Sequence, residues 1–390
     1  MLSTQSRPLI EATLPLIGER IGQITPVFYR RLFAAHPELL DGTFSRSNQR
    51  NGRQQQALAG SIATFASYLL ANPQALAETL LSRIAHKHAS LGVREEQYPV
   101  VYEHLFAAIA EDLGDTLTPE IAAAWTEVYW LMAHALIKLE RELYAAQPNS
   151  VDYSAWRLVQ RQTESTDCVS FSFEPLDETP VAAARPGQFV SLRLPVADGT
   201  RQVRQYTLSQ QPEATSRRHI TVKLDVDGEV STTLHSLQPG AVVELSNPYG
   251  DLVIDAEGTP LVIATAGIGC TPAAAALSSL AAAGSVRRLS ILHAEASVEA
   301  WALQHQMLDS LRQLPQATLS TWFEHGPLPE AYESRRGLMD LTGHVDEHSE
   351  LYLCGPLPFM HALRSQALSL GVPAQKIHYE VFGPDVWLAA

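Results

Sequence analysis

In LLSRIAHKHASL, Leu81, Ile84 and His88 are separated by three, four and seven residues, which places them on one face of a helix. His86 falls on the far, polar side with Ser82 and Arg83. An imidazole on an apolar face is either a core histidine with its hydrogen bonds met or a metal ligand. Three more polar residues interrupt apolar stripes. Tyr29 is in phase with Leu32 and Phe33, and Gln54 with Ala57, Leu58 and Ser61. Glu140 is in phase with Ala133, Leu136, Leu143 and Tyr144, while Lys138, Arg141 and Glu142 face away. A buried carboxylate is costly unless it is hydrogen-bonded. Glu140 therefore needs a partner, and Tyr98 or a histidine would serve. Taken singly, each of these residues also fits plain imperfect amphipathicity.

A second set of residues lies toward the C-terminus. GIGCTP at 267–272 follows the apolar run TPLVIATAG and opens a helix, AAAALSSLAAAG, with Gly284 at its end. Glycine lets backbone approach a pyrophosphate, and a helix N-terminus attracts negative charge. The loop is not the GxGxxG fingerprint, because Thr271-Pro272 stands where the last glycine region would be. Cys270 and Cys354 read as small buried hydrophobes and are given no catalytic role.

Three kinds of element must hold these groups. The chain has 390 residues, which at roughly 150 per domain suggests two or three domains. The first ~146 residues read as helices at 8–22, 25–34, 50–70, 74–91, 95–113 and 119–145, the last started by Thr118 before Pro119. From 155 to 255, short alternating runs such as Gln188–Leu194, Arg204–Ser209, His219–Asp225 and Val242–Ser246 predict a small antiparallel β-barrel. From Thr259 on, strands alternate with helices, which predicts a doubly wound parallel sheet. The expected architecture is thus multidomain: an all-α domain at 1–146, an antiparallel β-barrel at 151–255 and an α/β domain at 259–390.

Composition narrows the function. Net charge is −14, and no basic stripe is visible, so nucleic acid is a disfavoured partner. Three cysteines form neither a disulfide framework nor a zinc site and suit a reducing cytoplasm. No apolar run reaches the ~18 residues of a spanning helix, and the N-terminus lacks a signal-peptide pattern.

The segments VFYRRLF, HPEL, SNQRNG and QQAL, followed by RIAHKH and EEQYPVVYEHL, closely resemble the globin domain of flavohaemoglobins. RQYTLS at 204–209 resembles the RxY[ST] motif of ferredoxin-reductase-like flavin domains. RPGQF at 185–189 and GEVSTTLH at 228–235 flank it in the family's order. GIGCTP, YLCGP at 352–356 and YEVFGP at 379–384 resemble the nicotinamide half of such reductases. The resemblance covers about residues 1–385.

It implies that His88 is the proximal ligand of a haem b iron. Tyr29 and Gln54 would line the distal side, with Leu58 above the haem and Phe44 packed on it. Lys87, Tyr98 and Glu140 would surround the proximal histidine. For FAD it implies Tyr206 against the isoalloxazine, Arg204 on the pyrophosphate, Gln205 beside them and Thr207 near the ring edge. Phe189 stands where the family often has a tyrosine. Ser231 and Thr232 would reach the phosphates. NAD(P)H would meet Gly267, Ile268, Gly269, Cys270, Thr271 and Pro272, then Cys354, Gly355 and Pro356. It would also meet Val381, Phe382, Gly383 and Pro384, where Val381 replaces a frequent cysteine and Phe382 belongs to the FAD site too, by the flavin face on which nicotinamide must stack. The activity implied is NAD(P)H-dependent nitric oxide dioxygenation by a cytoplasmic monomer, with NO, O2 and the nicotinamide as its small-molecule partners. A haem gas sensor or oxygen carrier with a built-in reductase is the alternative, and a reductase using the haem as relay is a third reading. Glu295, at the end of ILHAEAS, would disfavour the extra phosphate of NADPH.

Overall fold

The computed structural model describes residues 1–42, 44, 52–72, 78–209, 217–254 and 258–383. Its contacts divide the chain into two compact units. One is Met1–Asp152 with Arg193–Arg204 and Gly383; the other is Tyr153–Leu192 with Gln205–Phe382.

The first unit is helical. It contains α1 (Ser6–Ala35), α2 (Arg53–Ala71), α3 (Glu78–Leu91), α4 (Gln97–Leu113) and α5 (Pro119–Ala145). The sequence predicts two helices, 8–22 and 25–34, where the structure has the single α1 containing Pro15 and Pro26. A proline removes one ladder bond, yet the stripe Ile10, Ile17, Ile21, Ile24, Phe28 and Leu32 stays buried along the whole helix. Continuous burial on one face outweighs the local breaks. The predicted start of α2 near residue 50 and that of α3 at 74 lie outside the described residues. Thr118 caps α5 as expected, its hydroxyl accepting from the Ile121 N–H at 3.4 Å.

The chain after the helices carries two sheets. The first has β1 (Ser154–Thr163), β2 (Cys168–Pro175), β3 (Phe189–Pro195), β4 (Arg201–Thr207), β5 (Arg218–Lys223) and β6 (Val242–Leu245) in the order β4-β3-β6-β1-β2-β5. An antiparallel bridge from Leu208 to Ile220 joins its two edges and closes the barrel. Leu158, Phe171, Phe173, Val190, Leu192 and Ile220 are fully buried. A single helix, α6 (Glu229–Ser236), follows β5.

The second sheet is wholly parallel, in the order β10-β9-β8-β7-β11-β12. Its strands are β7 (Leu261–Ala266), β8 (Leu289–Glu295), β9 (Ala317–Phe323), β10 (Glu333–Arg336), β11 (Glu350–Cys354) and β12 (Ile377–Glu380). α7 (Cys270–Ala282), α8 (Gln304–Leu311) and α9 (Leu357–Ser369) accompany it. The chain leaves β7 toward β8 and returns on its other side as β11. That reversal makes a crevice at the carboxyl ends of β7 and β11, where open α/β sheets bind ligands. Gly284 has φ +62° and ends α7, as the sequence suggests.

One core group makes stability depend on pH. His293 on β8 is fully buried, stacked on Trp301 at 4.7 Å and bonded through Nδ1 to Thr265 Oγ1 at 2.9 Å. Burial pulls its imidazole from the ordinary 6.5 down to about 3. The folded state thus keeps His293 neutral while the unfolded chain protonates it. Stability is unaffected above pH 6.5 and falls as pH drops below it, by about 1.4 kcal/mol per unit. His293→Gln should flatten the fall in Tm between pH 7 and pH 5 measured beside the wild type. Parallel curves would remove this assignment.

Candidate functional site

α3, α4 and α5 bring three of the expected residues together. His88 Nδ1 lies 2.8 Å from Glu140 Oε1 and 3.2 Å from the Tyr98 hydroxyl, and that hydroxyl donates to the same Oε1 at 2.6 Å. Glu140 and Tyr98 are buried. Burial, and then the Glu140 carboxylate, push the Tyr98 phenol far above its ordinary range, so it stays a donor. The carboxylate that the phase of α5 leaves on an apolar face therefore has both of the partners considered for it.

The geometry fixes the tautomer of the neutral imidazole. A carboxylate oxygen at Nδ1 requires the proton there, which leaves Nε2 as the lone-pair nitrogen. A third of the His88 side chain is accessible, although Leu81, Ala85 and Ala89 on its helix are buried. Among the described residues, no three His, Cys, Asp or Glu side chains form a metal cage. One free imidazole nitrogen oriented by a buried carboxylate suits an iron that brings its other ligands in a macrocycle. The donor set fits haem.

Tyr29 is also buried, on α1. Its ring is 4.6 Å from Phe28, 5.7 Å from Phe33 and 6.1 Å from Phe44. Burial raises its phenol well above the usual range, and a hydrogen bond with Gln54 opposes that rise. The phenol therefore stays protonated and keeps an O–H. Leu58 is half-buried against the same core. Lys87 Nζ donates to the Gly383 carbonyl at 2.5 Å, within the helical unit.

Sequence reasoning missed Tyr129, whose hydroxyl donates to the Tyr98 carbonyl at 2.6 Å and holds that turn of α4. The signal was available. Tyr129, Ala133, Leu136 and Glu140 are spaced four, three and four on one face of α5, so the stripe only had to be followed back one turn.

In the barrel, Phe189 is buried, and its backbone exchanges hydrogen bonds with Tyr249. A Cβ on Gly250 would come within 3.2 Å of the Phe189 ring. This glycine is a further residue the sequence did not single out. Thr207 is buried, Gln205 and Tyr206 are half-buried, and the Arg204 guanidinium bonds the Val203 carbonyl at 2.7 Å. The hydroxyls of Ser231 and Thr232 donate to the Gly228 carbonyl at 3.2 and 2.8 Å, and Ser231 also bonds Asp225. Those side chains build the turn before α6. The groups they leave for an anion are the first N–H groups of that helix.

In the parallel sheet the two glycine loops touch. A Cβ on Gly269 would lie 2.4 Å from the Cys354 carbonyl oxygen, and one on Gly355 would lie 3.1 Å from Ala266 Cβ. Gly267 has φ +54°, and Ile268 follows it in the turn that leads into α7. Thr271 and Pro272 form the buried first turn of α7, and Pro356 precedes α9. Glycine at these positions is thus required for the loops to meet at the β7–β11 crevice. Cys270 is buried and hydrogen-bonded to the Ala302 carbonyl, with its thiol pushed up by burial, as expected of an inert core cysteine. Glu295, raised by burial, reaches within 4.0 Å of the Cβ position on Gly267. Val381 is buried and Phe382 is 45% exposed. Pro384 lies outside the described residues.

Comparisons with known proteins agree with this geometry. The globin family matches residues 27–136, and the oxidoreductase FAD-binding domain family matches residues 155–254. The flavohemoprotein of Rhizobium meliloti is 37% identical over 99% of this chain and 100% of its own length. That of Bordetella pertussis is 38% identical over 98% of this chain and 99% of its own. The crystal structure of flavohemoglobin from Malassezia yamatoensis, with bound FAD and heme, superposes with a TM-score of 0.92 at 43% identity. It covers 98% of this chain and 100% of that one. The FAD/NAD-binding domain of nitric oxide dioxygenase from Vibrio cholerae is 30% identical, with a TM-score of 0.55 over 59% of this chain and 99% of its own.

Proposed function

The chain belongs to the flavohaemoprotein family, and on that premise we propose that it is an NAD(P)H-dependent nitric oxide dioxygenase, turning NO and O2 into nitrate. The observation that carries the reading is the His88–Glu140–Tyr98 cluster on the same chain as a flavin barrel and a dinucleotide crevice. When bound, the haem supplies an iron that takes up dioxygen, and FAD turns a two-electron hydride into single electrons.

The chain's own residues prepare that chemistry. His88 Nε2 would hold the iron. Glu140 keeps the proton at Nδ1 and makes the imidazole a stronger electron donor. Tyr98 fixes the carboxylate by donating to it. Opposite in role, the Tyr29 O–H supplies a hydrogen bond to a ligand that gains negative charge, and the rings of Phe28, Phe33 and Phe44 keep water from competing for it. Tyr206, Thr207 and Phe189 would seat the flavin. The GIG and CGP loops would cradle the dinucleotide, and Glu295 favours NADH over NADPH. We assign the three modules to 1–146, 151–255 and 259–390. We take the protein to be a cytoplasmic monomer; its buried free cysteines suit a reducing compartment. Among the described residues, no helix is long and apolar enough to cross a membrane.

Purified protein mixed with NADH, O2 and NO should consume NO catalytically and yield nitrate in equal amount. NO loss no faster than free flavin gives would end the proposal and leave a sensor or carrier. Glu140→Gln should keep haem, raise the haem reduction potential and lower turnover by about tenfold, the usual scale for losing a partner of a metal-bound histidine. An unchanged potential and rate would remove Glu140 from this role.

A further inference from the structure

Beyond Tyr98 the helical unit holds a run of aromatic rings that the dioxygenase reading does not use. The Tyr129 ring lies 5.3 Å from both Tyr102 and Trp130, and Tyr102 lies 5.6 Å from Trp130, centroid to centroid. Trp130 is 5.5 Å from the exposed imidazole of His134, and both line an open surface groove between α4 and α5. At the inner end, Tyr129 bonds the Tyr98 carbonyl at 2.6 Å, and the Tyr98 ring is 6.4 Å from that of His88. Packing alone would be served by Leu or Phe at these half-buried places. The chain instead sets tyrosine and tryptophan, the side chains that most readily give up one electron, in two groups from His88 to the groove, joined by the hydrogen bond from Tyr129 to the Tyr98 backbone.

We propose that Tyr98, Tyr129, Tyr102 and Trp130 form a relay that carries oxidising equivalents from the haem site to the surface when a peroxide reacts there. The proposal rests on the haem reading of His88. Each hop moves one electron inward. When Tyr98 is oxidised its proton crosses the 2.6 Å bond to Glu140 and returns when the ring is refilled. The Tyr129 and Tyr102 protons shift in the same way along their bonds to the Tyr98 carbonyl and the Thr126 hydroxyl and return within each hop, so no charge is stranded in the core. Reduction of hydrogen peroxide to two waters takes two electrons and two protons. Trp130 supplies both electrons in single steps. A water from the groove then adds to the indole, which becomes hydroxytryptophan and releases two protons. The sum is one peroxide and one tryptophan giving one water and one hydroxytryptophan. A soluble one-electron reductant such as ascorbate refills Trp130 before water adds and lets the relay turn over.

The test treats the ferric holoenzyme with stoichiometric hydrogen peroxide and maps oxidised peptides by mass spectrometry. Oxygen should be added chiefly at Trp130, and not when cyanide occupies the iron or ascorbate is present. In Tyr102→Phe/Tyr129→Phe, which keeps the rings, oxidation of Trp130 should fall severalfold and Soret absorbance lost per peroxide should rise. Trp130→Phe should bleach in the same way, with haem content and NO consumption unchanged. Trp130 left intact in the wild type, or oxidised equally in the double variant, overturns the relay alone. A purified chain with no Soret band overturns the haem reading and the relay with it.

Discussion

His88→Ala should emerge from purification yellow, with FAD bound and haem reduced to about a tenth or less of the wild-type content. The reason is geometric. His88 is the residue in which one ring nitrogen is committed to a buried carboxylate while the other is left as a lone pair, and among the described residues no cage of other ligands stands in for it. Removing the imidazole also takes a hydrogen-bond donor from Glu140, which is 2% exposed. That leaves the Tyr98 O–H as its remaining bond among those described at this cluster and destabilises the helical unit as well. Haem loss through misfolding is separated from loss of the ligand by His88→Gly in the presence of imidazole. The small molecule should restore a Soret band if the fold persists. NADH-dependent reduction of ferricyanide, which needs only flavin and nicotinamide, should stay near the wild-type rate in both variants. A normal Soret band in His88→Ala without added imidazole would refute the assignment.

The sequence discloses these sites unevenly, and the reason differs from place to place. Helix phase alone puts His88 and Glu140 on apolar faces, because a period of 3.6 residues is visible in any amphipathic helix. It does not say that the two faces meet, since that depends on how α3 crosses α5. The resemblance supplies the pairing, and the 2.8 Å contact establishes it. The break near residue 22 is misread for the opposite reason. Local signals in α1 favour two helices, while a buried stripe running from Ile10 to Leu32 favours one, and tertiary burial prevails. The glycine loops show a third limit. Their composition is legible, but the demand for glycine at 269 comes from the Cys354 carbonyl, 85 positions away in sequence and 2.4 Å from where a Cβ would be. Ser231 and Thr232 are legible as phosphate-side residues only through resemblance. Their hydroxyls turn out to close a local turn, a competition that Ser and Thr side chains enter wherever a nearby carbonyl is free.

Tyr29→Phe should leave haem content and stability near those of the wild type and yet accelerate oxygen dissociation from the ferrous protein by roughly tenfold to a hundredfold. The change deletes one hydroxyl from a cluster of rings that already contains Phe28, Phe33 and Phe44, so packing is preserved. What is lost is a hydroxyl kept protonated by burial. A hydrogen bond to a charged or strongly polarised acceptor contributes about 1.5–3 kcal/mol, which corresponds to that range of rates. The bond matters more to a ligand that has gained negative charge than to a neutral one. The same variant should therefore change carbon monoxide dissociation far less. Stopped-flow measurement of both gases distinguishes this electrostatic role from a steric one, because a residue that only shapes the pocket would shift both rates together. NO dioxygenation should fall with oxygen affinity, while haem-independent electron flow from NADH into flavin should be unaffected, since no atom of that route changes. Equal oxygen and carbon monoxide shifts would make Tyr29 a packing residue.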